Sequence, residues 1–480
     1  MTQTAHGDET ADEVCRDCGY EPELKRTLNG FQMFAIAFAS VSVVMGIFST
    51  YDDVLRDSGP VGIWLFPAIG VGQLLVALVY AQFAARLPLS GGAYAWASRL
   101  ANPKVGWAFG WMAFLNAVTA PVAIDNALAT QCLMPLLGMA PDETTGRAIT
   151  VGLLVVQAGL AIAATRIVGW VNSLSVGVEI GILVVLGAAF AVAAFLLSHD
   201  SAGILFTRGE AAADPHYFAL GGGLMAAMLM GLSTLVGFET AANMAEEAEN
   251  ATRTVPRAII GAVVASATLG LVFLVVLTVA IKDLPAASHS ESPVAEVMRQ
   301  QFGPALERPF LAAIAVAFFG AALVAVASTS RYVYAMARDG RFPGHRVMGR
   351  VNPRTQTPIP ATLLVLVVGA ALMVVLPGAA LNQLIAAGAV VGVSLYLMTI
   401  VLYLAVRRRM ISGTGGFDLG RFDVPVAVAA AVWLVAALVA ILSASITVAA
   451  LIIVVGQLVA GLAYFLYMWR FNREVLESEA

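Results

Sequence analysis

Apolar runs of twenty or more residues recur along almost the whole chain. Each is long enough, at about 1.5 Å per residue, to cross the roughly 30 Å hydrocarbon core of a bilayer as a helix. Twelve such stretches fall at approximately 31–56, 61–86, 105–136, 147–165, 169–197, 219–245, 256–281, 305–335, 359–376, 381–406, 424–444 and 447–470. A transmembrane barrel would need segments of about ten residues alternating between apolar and polar, a pattern this chain lacks. Of the 480 residues 59% are hydrophobic and 12% charged, about half the charged share of an ordinary soluble domain. That excludes a soluble enzyme and leaves an all-α polytopic membrane protein. A formal net charge of -4 carries no message about nucleic acid in such a chain, and no nucleic-acid partner is expected.

With an even number of spans both tails lie on one side of the membrane. Counting Lys and Arg by loop gives 21 on the tail side, including Arg338, Arg341, Arg346, Arg350 and Arg354, and 6 on the other: Arg56, Arg147, Arg208, Lys282, Arg299 and Arg308. The positive-inside rule then makes both tails cytoplasmic, in a multi-pass protein of the cytoplasmic (plasma) membrane. The first 27 residues are polar and acidic, so no cleavable signal peptide is visible. Connections of at most about 20–25 residues leave no room for a separate folded domain. Residues 1–28 form an N-terminal tail, 29–406 a ten-helix core, 407–472 two peripheral spans and 473–480 a C-terminal tail. Cys15 and Cys18 stand as a lone CxxC in the tail. With no second pair they are expected to stay reduced and metal-free.

An internal repeat is the next signal. Span one contains Ser42-Val43-Val44-Met45-Gly46 and span six contains Ser233-Thr234-Leu-Val-Gly237-Phe238-Glu239, so both carry Ser, three residues and Gly. Five spans separate them, and an odd number of spans per repeat inverts one half relative to the other. Transporters with inverted repeats bind substrate where a helix in each half is broken, because unwound backbone offers free N–H and C=O groups there. The same small-xxx-small spacing also packs helices together. Spans one and six are expected to unwind around 42–46 and 233–239.

Acidic residues inside apolar runs are the clearest chemical signal, since each costs about 2.5–3.5 kcal/mol at mid-bilayer unless paired or used. They are Asp52, Asp53, Asp125, Glu179 and Glu239. No Lys or Arg lies at comparable depth, so a substrate cation or a proton is expected to balance them. Glu239 beside Gly237 is either an amine site or part of a structural network. Phe238 is either a cation–π partner or a packing aromatic. Asp125 either lines a vestibule or bonds a neighbouring helix, and Asp52 and Asp53 suit a solvated outer mouth that attracts cations.

Further motifs resemble one family. Leu87-Pro-Leu-Ser-Gly-Gly-Ala-Tyr-Ala-Trp96 with Asn102-Pro-Lys-Val-Gly-Trp-Ala-Phe-Gly-Trp111 is similar to the re-entrant loop and third span of amino acid permeases. Gly237-Phe-Glu-Thr, Ala245-Glu-Glu-Ala-Glu-Asn with Thr254-Val-Pro-Arg257, Ser330-Arg-Tyr-Val-Tyr-Ala-Met-Ala-Arg-Asp-Gly340 and Gly19-Tyr-Glu-Pro-Glu-Leu extend the match. Together they resemble the amino acid–choline branch of the amino acid–polyamine–organocation superfamily over roughly 19–472. The resemblance implies a LeuT-like fold: two inverted five-helix repeats plus two peripheral helices, twelve in all, with helices 1 and 6 discontinuous. It also implies substrate contacts at Ser42, Val43, Val44, Met45, Gly46, Thr234, Gly237, Phe238 and Glu239, with Asp125 above them.

Span one departs from the glycine-rich break that holds an α-carboxylate in such permeases, because Gly46 is its only glycine. The substrate therefore tilts towards an amine, a choline-like cation or an ω-amino acid such as GABA. An α-amino acid permease or exchanger of the same fold is the alternative. In proton-driven relatives a lysine on span five performs the coupling, and Glu179 stands at that place here. Ser328 and Thr329 on span eight have the hydroxyls of a sodium site, although such hydroxyls usually bond backbone carbonyls. Protons are thus the favoured coupling ion over sodium. The chain has no GxxxxGK[ST] and no HExxH, so no cofactor, resident metal or enzymatic activity is expected. The reading is a secondary transporter, with a channel or membrane receptor as the alternative from another class.

Overall fold

Asn29 starts the first helix: its side chain accepts from the Gln32 amide while the Gln32 side chain accepts from the Asn29 amide, at 3.0 and 2.9 Å. This reciprocal cap satisfies two donors that a helix start leaves open. In the computed structural model, which describes residues 26, 28–89, 91–140, 142–163, 165–197, 201–290, 292–355, 357–376, 380–410, 416–444 and 447–477, helix α1 then runs Gly30–Val41. It stops at Ser42, whose φ of 43° is left-handed, and α2 restarts immediately as Val43–Asp53. A non-glycine residue in that region costs about 1–2 kcal/mol, so packing must hold the break in place.

Helix α3 follows at Leu65–Arg86, the short α4 at Gly92–Leu100, α5 at Pro103–Ala127, α6 at Glu143–Ala163 and α7 at Thr165–Leu197. Asn102 caps α5 with its side chain on the Val105 amide, and Pro103 at the first position needs no acceptor. Beyond the second break the order is α8 (Met228–Thr234), α9 (Thr240–Asn243), α10 (Ala251–Val279), α11 (Pro304–Arg338), α12 (Ile359–Val375), α13 (Ala380–Val406), α14 (Asp423–Ala444) and α15 (Val448–Phe471). No strand forms among the described residues. A single bridge pairs Leu28 with the segment after α9, through Leu28 N–H to Glu247 C=O at 3.0 Å and Glu249 N–H to Leu28 C=O at 2.9 Å.

Ten helical stretches among the described residues are long and apolar enough to cross a membrane, and Gly223–Thr234 and Ile359–Val375 are shorter apolar helices. The outward faces carry bare hydrocarbon: Val374 and Val375 are 81% and 76% exposed, and Ile452, Val459 and Leu462 on α15 are exposed too. An apolar surface of that extent suits lipid, not water.

Packing follows a pattern of pairs. Counting α1 with α2 as the first segment and α8 with α9 as the sixth, the second segment packs on the seventh (α3 on α10), the third on the eighth (α5 on α11) and the fourth on the ninth (α6 on α12). The fifth lies on the eighth (α7 on α11) as the tenth lies on the third (α13 on α5). The first lies on the seventh as the sixth lies on the second. Exchanging each segment with the one five places later maps this set of contacts onto itself.

The quoted motifs meet at one end. Tyr94 of α4 donates to Asp339 at 2.5 Å, Arg341 reaches the Tyr94 and Ser98 hydroxyl oxygens at 3.3 and 3.2 Å, and Trp107 donates to the Arg341 carbonyl at 3.0 Å. Trp96 stacks on Phe83 with 4.7 Å between ring centroids. The loop that opens at Leu87 is therefore clamped to the end of α11.

Candidate functional site

Two helix breaks face each other. At the first, Ser42 alone is non-helical; at the second, α8 ends at Thr234 and α9 begins at Thr240, so Leu235–Glu239 is unwound. Gly237 takes a φ of 94° and passes close to the Ser40 backbone, a conformation and an approach that a side chain would not allow. Between the breaks lies a cavity of about 220 Å³. Ser42 and Met45 line it from the first break, Gly237 and Glu239 from the second, Tyr80 from α3, Ser328, Thr329 and Tyr332 from α11, and Tyr396 from α13. Among the described residues Glu239 is the one charged residue in this lining, and no Lys, Arg or His shares it.

Tyr396 fixes the second break. Its hydroxyl donates to the Glu239 carboxylate at 2.5 Å and accepts from the Gly237 amide at 3.1 Å. Phe238 is fully buried, stacked on Tyr396 at 5.2 Å and edge-on to Tyr80 at 5.9 Å, whose hydroxyl donates to Thr399 at 2.9 Å. Phe238 does not line the cavity. The aromatic groups that do, alongside Glu239, are Tyr80, Tyr332 and Tyr396, and a carboxylate next to phenol rings is suited to an ammonium group. Tyr80 and Tyr396 sit singly in apolar runs with no motif around them, and Tyr332 falls within the Ser330–Gly340 motif, whose sequence gave no sign that this ring would face a cavity.

Other expected positions fall elsewhere. The first break is narrower than the 42–46 expected, because Val43 to Gly46 already belong to α2. Gly46 serves close packing: a Cβ there would come within 2.6 Å of Cβ and Cγ2 of Thr234 on α8, which is the helix-packing use of SxxxG. Thr234, Val43 and Val44 are buried outside the cavity lining. Asp125 is also buried away from it, and one of its oxygens accepts from Gln157 of α6 at 2.7 Å. Asp53 pairs with Arg56, three residues further on.

Glu179 of α7 is 3% exposed, and its carboxylate accepts from the Val44 amide at the start of α2 at 3.3 Å. The Val43 amide faces the same group. Ser328 donates to the Ala325 carbonyl at 3.2 Å, and Thr329 to the Ala117 and Ala325 carbonyls at 2.8 and 2.7 Å. Among the described residues no group of three or more His, Cys, Asp or Glu could hold a metal. Cys132 is buried and free, while Cys15 and Cys18 lie outside the described residues.

Against known proteins, the sequence matches the Amino acid permease family over residues 28–469. The chain belongs to this family. It is a permease, not an enzyme. This permease is 29% identical over 470 residues to the "Amino-acid permease BAT1 homolog" of Oryza sativa subsp. japonica, covering 89% of this chain and 86% of the relative. It is 28% identical to "Amino-acid permease BAT1" of Arabidopsis thaliana, over 88% and 86% of the two chains. A "Putative polyamine transporter" of Candida albicans is 24% identical over 85% of this permease and 76% of its own length.

Proposed function

We propose that this permease is a secondary active transporter of a small substrate bearing a cationic amine of the GABA-, choline- or polyamine-like class, and that Glu239 holds that group. The observation that carries the reading is Glu239 at the second break, the one charged residue that lines the cavity among the described residues. The relatives named for amino acids and for polyamines have an amine in common, and this agrees with it.

In this reading residues 29–406 form two inverted five-helix repeats that expose the cavity alternately to either side, and residues 407–472 add two peripheral spans. The contact pattern in which each segment exchanges with the one five places later supports that arrangement. The charge split supports cytoplasmic tails, in a protein of the plasma membrane. Protons drive transport through Glu179. Ionised, it accepts from the Val44 amide and stabilises the junction of α1 and α2; protonated, it is a weaker acceptor, so proton binding is linked to how the two half-helices sit. No basic side chain forms an ion pair with Glu179 among the described residues.

Counterflow of labelled butane-1,4-diamine in proteoliposomes tests the class, because a channel does not exchange. Glu239→Gln removes the charge opposite a buried ammonium group, and losing one partner of such a pair costs about 3–5 kcal/mol, roughly a hundredfold or more in affinity. Unchanged affinity in that variant would overturn the Glu239 assignment. Binding of plain anions would overturn the substrate class.

A further inference from the structure

The start of α2 has three backbone donors that helix geometry leaves open. Ser42 N–H reaches back to Phe38 C=O at 3.1 Å, and Gly46 N–H begins the new helix on Ser42 C=O at 3.0 Å. Between them the amides of Val43, Val44 and Met45 have no acceptor within the helix, and Ser42 supplies no side-chain cap. They stand at the positive end of an eleven-residue helix, a place that favours an anion. In transporters with broken helices such an N-terminus receives the carboxylate of the substrate.

Here a carboxylate of the chain is already present. Glu179 comes in from α7, 3% exposed, and accepts from Val44 N–H at 3.3 Å with the Val43 amide facing it. Glu179 is absent from the cavity lining, and of Val43, Val44 and Met45 only Met45 lines the cavity. We propose that Glu179 occupies the anion site of α2 in place of a substrate carboxylate and thereby restricts the substrate to amines that carry no carboxylate on the carbon next to nitrogen. The inference rests on the amine reading of Glu239 and narrows it.

A second observation points the same way. Among the described residues the cavity lining contains no Lys, Arg or His, and its one charged group is the Glu239 carboxylate. Of the three open α2 amides, a substrate α-carboxylate entering this space would find that of Met45 at most, with two carboxylates nearby, in a medium where like charges repel strongly. An ammonium group meets Glu239 and three tyrosines. The volume of about 220 Å³ suits a compact alkyl or aryl amine or a short diamine.

The test uses pairs of compounds that differ only by carbon dioxide: propan-1-amine with 2-aminobutanoate, and butane-1,4-diamine with ornithine. Dissociation constants are measured by calorimetry on the purified full chain in nanodiscs. The decarboxylated member should bind at least about tenfold more tightly in each pair, equivalent to about 1.4 kcal/mol. In Glu179→Ala the gap should close, chiefly because the amino acids bind more tightly. If Glu179→Ala does not fold, Glu179→Gln keeps the side-chain shape without the charge, and the wild-type pairs alone still decide the selectivity. Equal or tighter binding of the amino acids by the wild type overturns the inference and leaves the amine reading standing. If no member of either pair binds, the amine reading fails and the inference with it.

Discussion

The Tyr396 hydroxyl bridges both sides of a helix break, donating to the Glu239 carboxylate at 2.5 Å and accepting from the Gly237 amide at 3.1 Å. One side chain on α13 thus satisfies a buried donor and a buried acceptor of the unwound segment. Tyr396→Phe keeps the ring stack on Phe238 and removes both bonds. Each buried group left without a partner costs about 1–3 kcal/mol. The melting temperature of the substrate-free protein should fall by several degrees, and a saturating amine should recover part of the loss by giving Glu239 a new partner. An unchanged melting temperature would show that the bridge contributes nothing.

Gly46 and Thr234 pack against each other where the two broken segments meet. A methyl group at residue 46 would press on Thr234 from 2.6 Å, so Gly46→Ala should destabilise the protein by about 1–3 kcal/mol through overpacking. Thr234→Ala removes Oγ1 and Cγ2 from the contact and should restore part of that stability in the double variant. Independent, additive effects of the two substitutions in a thermal melt would rule out direct packing between them.

Energy coupling at Glu179 is read by accumulation. Glu179→Gln has no proton to exchange, so an imposed pH gradient should no longer raise internal labelled substrate above the external level, while measurable counterflow persists. Normal accumulation by this variant, or accumulation that follows a sodium gradient, would move the coupling site away from Glu179.

Outside the membrane-spanning segments, Asp418 accepts from the Gly420 amide at 3.0 Å and from the Gln82 side chain at 2.8 Å, with Arg86 at 3.3 Å. These contacts, the Gly420 amide foremost, hold its pKa below the ordinary carboxylate value. A pKa lowered by folding gives stability that is fully present above the unfolded value, near 3.9, and that is lost as pH falls through the folded value. Acidification from pH 6 towards 3 should therefore lower the melting temperature of the wild type more than that of Asp418→Asn. Parallel curves for the two proteins would mean that Asp418 does not link α3 to the start of α14.

Much of this permease was legible locally. Apolar runs of bilayer length, the spacing of Lys and Arg and the acids within those runs are one-dimensional signals, because each crossing must satisfy its backbone within its own helix and hide its charges. They gave the all-helical class, the two broken segments and Glu239 and Glu179 as unusual groups. The same signals misjudged Gly46, since a glycine that breaks a helix and a glycine that lets another helix approach look alike until Thr234 is in place.

What only the tertiary structure decided is which groups meet. Tyr396 reaches Glu239 across 157 positions and Glu179 reaches Val44 across 135, and no local pattern encodes contacts at such separations. Asp125 and Glu239 are both single acids in apolar runs, yet one turns to Gln157 on α6 and the other lines the cavity. Burying a carboxylate is costly wherever it occurs. The sequence could therefore announce that each acid needs a partner, while the packing of helices against one another determined whether that partner is an amide of a neighbouring helix or a space left for an incoming ligand.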